Sequence, residues 1–182
     1  MSGSHGPAKR HGLYLYLALG VTALDQASKS WISHLLEGTA TLEIWPGFFR
    51  LVLVHNRGAL FGMFQNLAPP ARMLVFLALP ITVIALLVWL ALRTALSDRL
   101  AHWAFTLLLG GALGNLVDRI RLGYVVDFLD VYFIGPGGTA YHWPAFNLAD
   151  ACICTGIGLL ALDSLRTRRI SAPGAHHASR SI

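Results

Sequence analysis

The sequence predicts an α-helical membrane protein with four transmembrane helices, a small strand-rich unit on their outer side and a short interfacial helix. Three observations carry this. The chain has 182 residues, of which 55% are hydrophobic and only 13% charged, and its mean hydropathy is +0.57. A soluble domain carries about 25% charged residues. Apolar runs of roughly spanning length recur along the chain. The basic residues, which give a net charge of +5, sit in the tails and in short loops. That distribution sets a topology. It is not the basic stripe of a nucleic-acid surface, and no nucleic-acid partner is expected. The length fits one domain.

Residues 1–12 are polar, include Lys9 and Arg10, and are expected to form a cytoplasmic tail. Residues 13–36 make the first span, with a charge-free first half and with Asp25 and Lys29 in the second. A basic start before a short apolar core also matches a signal peptide. Against that reading, apolar character resumes at Trp31, Ile32, Leu35 and Leu36, and the whole run is long enough to cross a bilayer. Residues 37–72 form an outer loop. Within it Thr39–Trp45 partly alternates, Pro46-Gly47 is a turn pair and Phe48–His55 is rich in branched and aromatic residues, a strand-turn-strand pattern. The apolar stretch that follows, through Phe64, is expected to lie as a short helix on the membrane surface.

Residues 73–92 carry no charge and are the clearest span; Pro80 is tolerated in a membrane helix. Residues 100–120 are the third span, with Gly110, Gly111 and Gly114 giving a small-residue face for close helix contact. Residues 121–144 form the second outer loop, with a turn at Gly135-Pro-Gly-Gly138. Residues 145–165 are the fourth span, and Pro144 suits a helix start. Residues 166–182 form a basic cytoplasmic tail. Cys152 and Cys154 are two apart in a helix, so they do not face each other and read as small apolar residues of a span.

Lys9, Arg10, Arg93, Arg99, Arg166, Arg168, Arg169 and Arg180 fall on one side of these spans; Arg50, Arg57, Arg72 and Arg121 fall on the other. The richer side is cytoplasmic, so both termini are inside and both long loops outside. This topology gathers the polar groups. The third span ends outward at Asn115, Asp118 and Arg119, on one helix face by their spacing. The fourth begins there with Asn147 and Asp150. Asp127 lies in the loop between them, Asn56 in the other outer loop, and Asp25 past the middle of the outgoing first span. Ionisable groups at membrane depth are costly and usually face a bundle interior or a wet cavity.

Each polar group also has a bland reading. Asp25 and Lys29, four apart, suit an internal ion pair. Asp118 beside Arg119 and Arg121 suits a structural charge partner. Asn56, Asn115 and Asn147 can satisfy one another across helices. Asp130 is expected to face water, and Asp163 to be interfacial. His55 and His142 lack neighbours at metal-ligand spacing, so no metal is expected. Asp127, embedded in Tyr-Val-Val-Asp-Phe-Leu, and Asp150, at the head of a span, are the hardest to dismiss; structural and functional readings both stay open for them. The chain lacks His-Glu-x-x-His, has no serine in the third or fourth span and lacks Gly-x-Gly-Asp. Two carboxylates held together can share a proton, one acting as base toward water and the other polarising a carbonyl. A small transporter or lipid-binding protein, using the same carboxylates to relay protons or bind a cation, is the alternative. Transporters often show repeats and midplane sites; this chain shows no repeat, and its polar groups gather near the outer surface.

Five blocks in order give the chain a resemblance to the bacterial lipoprotein signal peptidases, signal peptidase II. They are Asp25-Gln26 with Lys29; His55-Asn-Arg-Gly-Ala-Leu-Phe-Gly62; Gly110-Gly-Ala-Leu-Gly-Asn-Leu-Val-Asp-Arg119; Val125-Val-Asp-Phe128; and Phe146-Asn-Leu-Ala-Asp150. Leu60 stands where alanine is commoner. The resemblance implies an aspartic endopeptidase of the bacterial inner membrane, with residues 13–165 as the peptidase domain. It would remove prolipoprotein signal peptides on the amino side of a diacylglyceryl-modified cysteine, act near the outer face, and be blocked by globomycin. It implies an outer β-rich cradle and a short mobile helix near residues 59–65. Asp127 and Asp150 would be the catalytic dyad. Asn56, Asn115, Arg119 and Asn147 would line the site, and Asp25, Lys29 and Asp118 would support it. It implies no metal and no cofactor. One chain carries all these residues, so a monomer is expected, with substrate and membrane lipid as its partners.

Overall fold

A computed structural model describes residues 7–39, 41–58 and 67–171. The expected interfacial helix at 59–65 lies outside the described residues, as do 1–6 of the amino-terminal tail and 172–182 of the carboxy-terminal one.

Helix α1 spans Pro7–Leu35. The tail expected over residues 1–12 is therefore helical from Pro7 onward. Pro7 suits a first helical turn, where its missing N–H costs nothing, and the helix runs on through Gly12 into the apolar run. The second apolar stretch is one helical run in three parts: α2 (Pro69–Met73), a π-helical turn (Leu74–Ala78) and α3 (Leu79–Arg93). The widened turn lies just before Pro80, whose ring would crowd the carbonyl four residues back. Leu79 donates instead to Leu74 O, five residues back. Helix α4 (Arg99–Arg121) starts at Asp98, whose side chain accepts the Ala101 N–H at 3.1 Å.

Helix α5 spans Leu148–Ser171, starting three residues after the expected position 145. Phe146 is held in a β-bridge to Leu129, and Asn147 caps the helix, its Oδ1 accepting the Asp150 N–H at 3.0 Å. The Asp150 Oδ2 in turn accepts the Asn147 N–H at 3.3 Å. This reciprocal pair is a capping box, which fixes where the helix begins.

Among the described residues three helices are long and apolar enough to cross a membrane: Leu74–Arg93, Arg99–Arg121 and Leu148–Arg166. Helix α1 is long enough but is not among them, because polar residues crowd its second half: Asp25, Gln26, Ser28, Lys29, Ser30 and Ser33.

Four strands form an antiparallel sheet in the order β1-β2-β3-β4. Strands β1 (Thr41–Trp45) and β2 (Phe49–Asn56) are the expected strand-turn-strand unit. Strands β3 (Val125–Ile134) and β4 (Ala140–His142) lie within 121–144, where the sequence reading placed no strand. The signal was present: Val-Val-Asp-Phe-Leu-Asp-Val-Tyr-Phe-Ile is dense in β-branched and aromatic residues. The sheet seats on the end of α1, where Ile32 and Leu36 bury against Leu51 and Phe128.

Helix α4 is central and packs most extensively on α5 and α1. Its glycines allow this. A Cβ at Gly110 would lie 2.5 Å from Val21 Cβ, and one at Gly111 would lie 2.5 Å from Ala149 O, backbone at the head of α5. Gly111→Ala is therefore expected to push α5 off α4 and to cost about 1–3 kcal/mol. Thermal unfolding in detergent would measure this, and an unchanged melting temperature would contradict the close-packing account.

Candidate active site

Helices α1, α4 and α5 converge with β2 and β3 at one end of the bundle. The polar groups predicted from sequence meet there. Asp25 and Lys29 of α1 form the expected ion pair, Nζ to Oδ2 2.8 Å. Asp25 is 0% and Lys29 3% exposed. The Lys29 ammonium also contacts Asp118 Oδ2 at 2.9 Å and donates to Asn115 Oδ1 at 3.0 Å. Its three protons thus have three acceptors, which is what a buried ammonium needs. Asp25 Oδ1 accepts the Ala149 N–H at 2.9 Å, satisfying one of the donors that a helix start leaves free. A Cβ at Gly114 would lie 2.5 Å from Asp25 Oδ2, so only glycine there admits the carboxylate.

Two expectations change. Asp118 is held by Lys29 rather than by an arginine, and it also accepts from Gln26 Nε2 at 2.8 Å and from the Val126 N–H at 3.1 Å. Adjacent residues on a helix point apart, which takes Arg119 away from Asp118. Asp130 does not face water: it is 4% exposed, bonded by Arg50 Nε at 2.6 Å and 3.0 Å from His142 Nδ1. The register that sets Arg50 opposite Asp130 across β2 and β3 accounts for this.

Asp127 and Asp150 are linked through amides. Asp127 Oδ1 accepts from Asn147 Nδ2 at 2.7 Å, and its Oδ2 accepts from Asn56 Nδ2 at 2.9 Å. Asp150 Oδ1 accepts from Asn115 Nδ2 at 2.8 Å. Asn147 Nδ2 also reaches Asn115 Oδ1 at 3.2 Å, so two of the three asparagines do satisfy each other. One residue, Asn147, touches both carboxylates. Of the nine residues named from sequence, all but Arg119 are joined side chain to side chain. Arg119 donates to the Asn115 carbonyl at 3.4 Å and lies 5.7 Å over the Phe76 ring. With Asn56, Phe76 and Tyr124 it lines an open cavity of about 420 Å³.

Sequence reasoning gave no role to Gln26. Its amide donates to Gly114 O at 3.1 Å as well as to Asp118, and Arg121 donates to its carbonyl oxygen at 3.2 Å. An amide next to Asp25, in the polar second half of a spanning-length run, was the available signal.

Burial raises the Asp127 carboxyl from its ordinary 3.8 to about 6. The nearby Asp150 adds to the rise, while the Asn56 and Asn147 amides and Lys29 oppose it. Folding thus favours the protonated form, and the stability from this group is full below about pH 3.8 and is lost as pH rises through about 6. Wild-type protein is expected to melt higher at pH 4 than at pH 7 on this account. That difference is expected to shrink in Asp127→Asn; an undiminished difference would assign the pH dependence elsewhere. Among the described residues no group of three or more His, Cys, Asp or Glu is placed to hold a metal. What the arrangement can do is hold two carboxylates by neutral donors beside a cavity, with one of them readily protonated near neutrality.

The sequence model of the family described as signal peptidase (SPase) II matches residues 17–166. A lipoprotein signal peptidase of Syntrophotalea carbinolica is 41% identical over 154 residues, covering 85% of this chain and 91% of that one. One of Geobacter sulfurreducens is 38% identical over 157 residues, covering 86% and 94%. Among solved structures, a bacterial membrane enzyme determined by the in meso method superposes with a TM-score of 0.72 at 26% identity, covering 94% of each chain.

Proposed function

Since the chain belongs to the signal peptidase II family, we propose that it is an intramembrane aspartic endopeptidase that cuts prolipoproteins on the amino side of a diacylglyceryl-modified cysteine. Family membership makes it a membrane peptidase of lipoprotein processing. The catalytic reading rests on one observation: Asn147 contacts both Asp127 and Asp150, so a single side chain and its backbone N–H set the two carboxylates relative to each other.

The two carboxyls share one proton, because like charges at close range resist double ionisation. The ionised one takes a proton from water as the water oxygen bonds to the scissile carbonyl carbon. The protonated one gives its proton to the carbonyl oxygen, forming a neutral gem-diol. Collapse breaks the C–N bond: the carboxyl that took the water proton gives it to the leaving cysteine nitrogen, and the other takes one from a gem-diol hydroxyl, so the dyad ends with its single proton where it began. One water is consumed. Asn56 and Arg119, at the cavity wall, serve the substrate backbone there, and Asp25, Lys29 and Asp118 support the dyad from beneath.

The membrane arrangement belongs to the same proposal. Helix α1 crosses as a fourth span, its buried ion pair lying against α4 and α5 rather than lipid. Both termini are cytoplasmic, following the basic flanks, and the dyad lies near the outer face of the bacterial inner membrane with the sheet as a cradle over it. The active unit is one chain, and globomycin blocks it.

The test is incubation of the purified enzyme with a diacylglyceryl prolipoprotein, with product masses read by mass spectrometry. The expected product begins at the modified cysteine, and globomycin suppresses it. An intact precursor under conditions where a control signal peptidase II cuts would overturn the reading.

A further inference from the structure

Asp127 and Asp150 are the same residue type in different surroundings. Asp150 is the third residue of α5, where its Oδ2 accepts the Asn147 N–H. It sits at the positive end of the helix dipole, which favours a carboxylate over a carboxylic acid. Its Oδ1 accepts from Asn115. The carbonyl of that same amide accepts two donors, Lys29 Nζ at 3.0 Å and Asn147 Nδ2 at 3.2 Å. An amide whose oxygen faces an ammonium must turn its NH2 the other way, and here that way leads to Asp150. Asp127 has no such support. It lies on a strand, 2% exposed, and among the described residues the donors bonded to its oxygens are the two neutral amides of Asn56 and Asn147. Among the described residues the charged groups that act on the pair are Asp25 and Lys29 from α1 and Arg119 from α4, with Asp118 bonded to Lys29 behind them.

From this geometry we infer that Lys29 is a positioning residue which, through Asn115, holds Asp150 as the ionised member of the dyad and leaves the shared proton on Asp127. The inference rests on the aspartic reading above and assigns the two roles which that reading leaves unassigned. Asp150 is then the base that takes a proton from water. Asp127 is the acid that gives its proton to the scissile carbonyl oxygen.

A relay of this kind differs from simple support of the fold. Breaking it at Asn115 leaves the Lys29–Asp25–Asp118 ion cluster intact, so Asn115→Leu is the decisive variant, with Lys29→Met and the double variant beside it. The readouts are melting temperature, KM, and kcat against pH on a lipidated precursor. In Asn115→Leu, kcat is expected to fall by about tenfold or more with KM little changed. The acid limb of its kcat profile moves upward by about half a pH unit or more, because ionised Asp150 has lost a donor. Where Lys29→Met folds, it shifts the limb in the same direction, and the double variant loses less than the product of the two single losses. An unmoved acid limb in a folded Asn115→Leu protein, or losses that multiply, overturns the relay. Asp127→Asn and Asp150→Asn distinguish the two levels of the argument. If both are inactive while the Asn115→Leu limb stays in place, the relay falls and the dyad stands. If either retains activity, the aspartic reading fails and takes the relay with it.

Discussion

Asp127→Asn and Asp150→Asn are each expected to lower the rate of precursor cleavage by about 10³-fold or more while the protein still folds. An amide of the same shape can neither take a proton from water nor release one to a carbonyl oxygen. The loss is expected to fall on kcat, because Asn56 and Arg119, which line the cavity and are proposed to hold substrate, remain in place. The two losses are not additive: once one carboxyl is gone the other has no partner, and the double variant is expected to be scarcely worse than either single one. A gel assay on a lipidated precursor measures the activity, and a melting curve in detergent checks the fold. Substantial cleavage by either single variant would remove the dyad from the mechanism.

The second large effect is on stability. Asp25→Ala is expected to cost about 3–5 kcal/mol, the usual penalty for breaking one partner out of a buried ion pair. Asp25 is 0% exposed, and it serves two groups at once: the Lys29 ammonium and the Ala149 N–H. Removing it leaves Lys29 shared between Asp118 and Asn115 and leaves a donor unpaired at the head of α5. Since that helix head carries Asp150, activity should fall with stability. The variant protein is expected to melt well below wild type and to accumulate poorly in membranes. Asp25→Asn is the milder comparison, because its amide oxygen can still accept from Ala149. Equal melting temperatures for wild type and Asp25→Ala would contradict the account of α1 as a buried, polar-pinned helix.

The candidate site was legible in the sequence to an unusual degree, for a reason particular to membrane proteins. In an apolar chain each polar side chain stands out, and spacing on a helix says which of them share a face. Asn115 with Asp118, and Asn147 with Asp150, were readable in this way. Partner identity was not. Asp118 read as a partner of the adjacent arginines, but its cation comes from Lys29, 89 positions earlier in the sequence. Asp130 read as a solvated loop residue, but it is buried because β2 delivers Arg50 to it. The second departure follows from reading 121–144 without strands, since β3 passes through the middle of the sheet; the first follows from the packing of α1 on α4, which sets Lys29 beside Asp118.

By itself, the sequence determined the apolar spans, the strand-turn-strand unit, the gathering of carboxylates and amides toward one surface and, through five ordered motifs, the family resemblance. These follow from local quantities: hydropathy over a window, charge asymmetry and residue spacing. Only the tertiary structure decided which donor meets which acceptor. Helix α1 enters the bundle because Gly110 and Gly114 let α4 approach Val21 and Asp25, and α5 begins at Leu148 because Asn147 caps it. That same Asn147 then reaches across to Asp127. Hydrogen bonds are directional and short, so a network of them depends on the relative placement of distant segments, which no local pattern encodes.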